Sequence, residues 1–177
     1  MTRRILTAAL MAFLALAACD EAKPRDPPPD PFAAPAAKAE AVAPTGGLSK
    51  GLPKRPQLAG FSLDRIGAAS DPLNRQPAVT PAARPIVLDG FGFDPVTRAP
   101  GKGVDVVIDG KAYGAAYGRG RQDVASYFKT PGLLNVGFTT TLPAATLSPG
   151  AHTAAVRVVA ADGKGYYEGL PIRFEVK

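Results

Sequence analysis

Tryptophan is absent from this chain, and cysteine and histidine occur once each. One Cys and one His cannot furnish a structural zinc site, a disulfide framework, or a Cys/His nucleophile with an orienting partner. No apolar run approaches the about 20 residues that cross a bilayer as a helix. Lys and Arg number 21 against 15 Asp and Glu, a net charge of +6, but the excess is spread thinly. Without a basic run or aromatic residues interleaved in one, nothing points to nucleic-acid binding. What the chain has in quantity is proline and glycine, 19 of each in 177 residues. Their uneven distribution divides it into regions of different character.

Residues 1–18 read as an export signal. Arg3 and Arg4 supply a positive start, Ile5 to Leu16 is apolar apart from Thr7, and small residues Ala17 and Ala18 follow. Leu16-Ala17-Ala18-Cys19 then resembles a bacterial lipobox. The resemblance implies cleavage before Cys19, a diacylglycerol thioether on its sulfur and acylation of its new amino group; two or three acyl chains hold a protein stably on a membrane. A lipidated Cys19 also accounts for the lone thiol of an exported chain. Asp20 resembles an inner-membrane retention signal of enteric-type bacteria, a rule many bacteria do not follow, so inner and outer membrane both stay open.

Residues 19–59 are rich in Pro and Ala, most densely at Asp26-Pro27-Pro28-Pro29-Asp30-Pro31, and poor in β-branched residues. Such a composition buries too little apolar surface to offset the entropy of ordering. A disordered tether is expected, reaching about 120 Å if extended at about 3.1 Å per residue.

From Gly60 to Lys177 the pattern changes to short alternating strands between turns, which predicts an all-β sandwich of about seven strands. Expected strands are Phe61 to Ile66, Ile86 to Phe93 interrupted at Asp89-Gly90, Gly103 to Ile108, Lys111 to Ala115, Val136 to Leu142, His152 to Ala161, and a last one with Ile172, Phe174 and Val176 inward. Val104, Val106 and Ile108 should face the core, with Asp105 and Val107 turned away. Asp109-Gly110 reads as a two-residue hairpin turn. One short helical turn is expected near residues 123–128, capped by Asp123 and stopped by Pro131-Gly132.

Val104 to Lys111, Tyr117-Gly118, Arg121-Gln122-Asp123-Val124, Gly137-Phe138, and Leu147 to Gly150 followed by His152-Thr153 and Val156-Arg157 occur in an order that resembles an immunoglobulin-like module of bacterial surface and envelope proteins. There the insertion usually reads Tyr-Gly…Arg-Pro-Asp-Val and a preceding strand carries Gly-Trp-Ala-x-Asp. Here Gln122 replaces the proline, and Gly90-Phe91-Gly92-Phe93-Asp94 stands where the tryptophan strand would be. The resemblance implies an immunoglobulin-like fold and brings no catalytic set with it.

Two readings of the insertion compete. In one, Asp123 caps the helical turn and Arg121 pairs with a carboxylate such as Asp94, pinning the long connection to the sandwich. In the other, Tyr113, Tyr117, Arg119, Arg121, Asp123 and Tyr127 line a shallow surface for a carbohydrate or an anion. His152, following Pro149-Gly150, is expected to bond back to its corner as a structural residue. Ser126 and Ser148 lie in no nucleophile elbow. Asp89, Asp94, Asp105, Asp109 and Asp162 could form a calcium site or a glycosidase pair, but several lie in turns that the backbone alone explains. No catalytic, metal or cofactor site is expected. The whole suggests a lipid-anchored protein of the bacterial cell envelope, presenting a non-catalytic binding module to a protein partner or an envelope glycan. The alternatives are a small cell-wall-acting enzyme or enzyme subunit, and a purely structural spacer.

Overall fold

The computed structural model describes residues 47–177; the expected signal over 1–18, Cys19 and the tether as far as residue 46 lie outside the described residues. The described chain is an all-β sandwich of two sheets with one short helix. Its strands are β1 (Lys54–Leu58), β2 (Gly60–Ile66), β3 (Ala69–Ser70), β4 (Ala78–Thr80), β5 (Ile86–Phe93), β6 (Gly103–Ile108), β7 (Lys111–Gly114), β8 (Ala116–Arg119), β9 (Gly137–Leu142), β10 (Gly150–Val159), β11 (Tyr166–Glu168) and β12 (Ile172–Val176). Helix α1 (Gln122–Tyr127) and a 3-10 turn (Pro131–Asn135) lie between β8 and β9. The strands outnumber the seven expected because short segments such as β3, β4, β8 and β11 add to both sheets.

β10 is the spine of the first sheet. β6 runs antiparallel along one side of it, while β12 and β11 share the other, β12 along Gly150–Ala154 and β11 along Arg157–Val159. β4 adds in parallel to β12, β1 in parallel to β11, and β7 in antiparallel to β6. The second sheet has the order β3-β2-β5-β9-β8. Alternation explains the core: Val104, Val106, Ile108, Ala154, Val156, Val158, Ile172, Phe174 and Val176 from one sheet meet Leu63, Ile66, Ile86, Leu88, Phe138 and Leu142 from the other, all buried. Gly92 faces Val158 and Val104 across the sandwich, where a Cβ would approach Val158 to 2.9 Å.

Three expectations need correction. The sandwich includes residues before Gly60: Lys54–Leu58, assigned to the tether, pairs with Tyr166–Glu168. Its sequence lacks alternation because β1 is a largely exposed edge strand, where Pro56 is tolerated and charges suit the site. β5 is continuous through Asp89-Gly90; a register shift in β2 brings the Ser62 carbonyl over Gly90, leaving no room there for a Cβ. Asp105 does not face water. β6 is buried along its whole length, and both Asp105 oxygens accept backbone N–H bonds, from Leu48 at 2.9 Å and Ser49 at 2.7 Å. The turn at Gly47–Gly51 thus covers the outer face of β6.

Candidate functional site

Along β5, Leu88 faces the core, so Phe91 and Phe93 lie on the outer face of the second sheet, with ring centroids 6.2 Å apart and nearly parallel. Two exposed phenylalanines on a sheet need a cover, and the connection between β8 and β9 provides it. Phe93, Val124, Leu133 and Val136 form a second small core, flanked by Phe91, Tyr117 and Phe128. Phe128 meets Phe93 edge-on at 5.1 Å and Phe91 at 6.2 Å, favoured aromatic geometries. Pro131-Gly132 does not simply end the helix; it opens the 3-10 turn that inserts Leu133.

Arg121 fixes the start of this insertion. Its guanidinium makes a two-pronged pair with Asp123, Nε to Oδ1 at 2.9 Å and Nη2 to Oδ2 at 2.6 Å, and Nη1 donates to Asp64 Oδ2 at 2.7 Å. It also lies over the Phe91 ring at 5.2 Å. The expected partner Asp94 is engaged elsewhere. Nor does Asp123 cap α1: Arg121 occupies the N-cap without a side-chain cap bond, and Asp123 lies in the first turn. The Arg121 guanidinium beside Asp123 holds its carboxyl below the usual carboxylate range, opposing a smaller upward push from burial.

The six residues expected to form one surface separate. Tyr113 is buried in the main core. Tyr117 points inward, its hydroxyl donating to the Gly92 carbonyl at 2.7 Å and accepting from the Gly101 N–H at 3.1 Å; burial pushes its pKa up to about 12. Both rings follow from strand alternation, which buries one face. Arg119 is exposed at the end of β8. Only Arg121, Asp123 and Tyr127 come together, and Tyr127 is 82% exposed beside Phe128. Asp123 and Tyr127, but not Arg121, border an open depression of about 370 Å³ lined by Ser62, Phe91, Asp123, Val124, Tyr127 and Phe128. Ser62 donates to Asp64 at 2.9 Å, which joins β2 to the Arg121 cluster. Sequence reasoning missed Phe91 and Phe128; the usable signal was the placement of Phe91 and Phe93 out of phase with Leu88.

The other carboxylates serve the scaffold separately. Buried Asp94 accepts from the backbone of Val96, Thr97 and Ala161; burial alone would raise its pKa, but these donors hold it low. Asp89 pairs with Arg65, and Asp162 forms a fork with Arg55 at 2.6 and 2.7 Å. His152 lies against Phe174 with Nδ1 2.6 Å from an Asp109 oxygen and Nε2 2.8 Å from the Ser148 carbonyl, two bonds that only the charged imidazolium can donate together. Burial works against its charged form, but the Asp109 and Ser148 oxygens raise its pKa. Among the described residues no three His, Cys, Asp or Glu side chains gather as a metal site. No family model, curated protein or solved structure matches the chain.

Proposed function

We propose that the chain is a bacterial envelope lipoprotein, held to a membrane through acylated Cys19, and that its sandwich is a non-catalytic, immunoglobulin-like binding module that meets its target at the α1 face. The observation that carries this reading is Tyr127, a large ring left 82% exposed on a packed insertion, beside an open depression with a phenylalanine floor. Exposed aromatic side chains beside a concavity on a rigid scaffold are a common form of recognition surface. A depressed carboxyl at Asp123, already gripped by Arg121, is poorly suited to proton donation at neutral pH. That supports binding over cell-wall chemistry.

In-cell crosslinking followed by affinity capture compares the native chain with Tyr127→Ala. Loss of the captured envelope component in the variant supports the reading. Turnover of peptidoglycan by the purified protein, abolished by Asp123→Asn, would replace it with the enzymatic alternative. Globomycin treatment with mass spectrometry of the N-terminus tests the anchor: precursor accumulation and an acylated Cys19 are expected, and normal processing with an unmodified Cys19 would remove it.

A further inference from the structure

Resting on the reading of the sandwich as a binding module, we infer that the depression between β2, β5 and α1 takes an uncharged saccharide. The rings around it are held in place: Phe91 by the register of β5 and by Arg121 above it, Phe128 by edge contacts to Phe91 and Phe93, and Tyr127 edge-on to Phe128 at 5.0 Å. A ligand stacking on Tyr127 and Phe128, with Phe91 beneath Arg121 as part of the floor, therefore orders little that is not already ordered. Pyranose rings offer an apolar C–H face to such a platform and a rim of hydroxyl donors around it.

The polar groups match that rim. Ser62 Oγ spends its proton on Asp64 and keeps its lone pairs. Each oxygen of Asp123 accepts one bond from Arg121 and has capacity for another. Among the described residues the lining carries no Lys or Arg, and neighbouring Arg121 is fully engaged by Asp64 and Asp123. An anionic ligand would meet carboxylates in a lining that carries no Lys or Arg. One guanidinium shared between Asp64 and Asp123 leaves a single surplus negative charge, which makes a polycation the competing occupant that the test must exclude. A neutral donor-rich ligand uses both the rings and the open acceptors. At about 370 Å³ the depression sits near the small end of ligand sites, which span roughly 300–1,000 Å³.

The test is an NMR titration of the isotope-labelled chain with fully N-acetylated chitotetraose, cellotetraose and maltotetraose, with octalysine as the charged comparison. Saturable shifts at Phe91, Asp123, Tyr127 and Phe128 with at least one sugar are expected. Tyr127→Ala should raise Kd at least about tenfold, while Tyr127→Trp should stay within about threefold of the native value. Because Tyr127 is exposed, both variants should keep their thermal midpoint, which separates lost binding from lost folding. Sugar shifts that survive Tyr127→Ala, or no shifts with any of the three sugars, overturn the inference. If octalysine alone perturbs these residues in a Tyr127-dependent way, the saccharide is wrong and the binding module stands. If no probe perturbs them and Tyr127→Ala leaves the crosslinked partners unchanged, both readings fall.

Discussion

Asp105→Asn offers the sharpest test of how the turn at Gly47–Gly51 is held to β6. The native carboxylate is fully buried and accepts the N–H groups of Leu48 and Ser49 on separate oxygens. An asparagine keeps the shape, but one acceptor becomes an NH₂ group facing an N–H donor. One charge-assisted bond is lost, worth about 1.5–3 kcal/mol, and a donor is left opposed to a donor; a total of about 2–3 kcal/mol is expected. With an unfolding entropy of about 2.1 cal/mol/K per residue over the about 130 described residues, the thermal midpoint should fall by about 7–11 °C. Gly47→Ala attacks the same contact from the other side, since a Cβ there would fall inside the Asp105 carboxylate. The two substitutions should therefore be strongly non-additive, the double variant costing little more than the worse single one. Thermal and urea unfolding measure the energies, and hydrogen exchange at Leu48 and Ser49 reports the amides directly. A midpoint shift under about 2 °C for Asp105→Asn, with both amides still protected, would refute the reasoning; so would simple additivity.

Tyr117→Phe deletes a hydroxyl that bridges the Gly92 carbonyl and the Gly101 N–H; a loss of about 1–2 kcal/mol by urea unfolding is expected. For the His152–Asp109 pair, the raised histidine contributes stability that is complete below its ordinary value near 6.5 and disappears as pH rises through the folded value. The depressed Asp109, despite the upward push of its partial burial, contributes above its ordinary 3.8 and loses this as pH falls. His152→Ala should thus cost more at pH 5.5 than at pH 8.5, measured by unfolding at each pH, and added salt should shrink the difference because Asp109 is half-exposed. Arg121→Lys keeps the charge but loses the planar fork that spans Asp64 and Asp123; a cost of about 1 kcal/mol and faster amide exchange across α1 are expected.

Much of the sandwich was legible because half-buried strands write themselves as alternation. Gly103–Ile108 has its expected bounds, the Asp109-Gly110 turn has positive φ at both residues, and Ile172, Phe174 and Val176 are inward as read. Where the second face of a strand is also covered, alternation misleads: Asp105 reads as solvent-facing because the turn that buries it comes from residues more than 50 positions away. β1 is illegible for the opposite reason, since an exposed edge strand needs no apolar row. At the insertion, residue types flagged Arg121, Asp123 and Tyr127, but the same reasoning collected Tyr113 and Tyr117, whose strand positions turn them inward. Local sequence names the aromatic residues; which way they point depends on register with partners far along the chain.

The Asp105 contact also governs how the domain would bear a pull. Tension arriving from ahead of Gly47 reaches Leu48 and Ser49 first, and their amides pass it to β6, which is flanked by β10 and β7. It does not start by peeling the edge strand β1 away from β11. The arrangement works as strain relief does on a cable: the load is taken up in the middle of the weave, and the border stays slack.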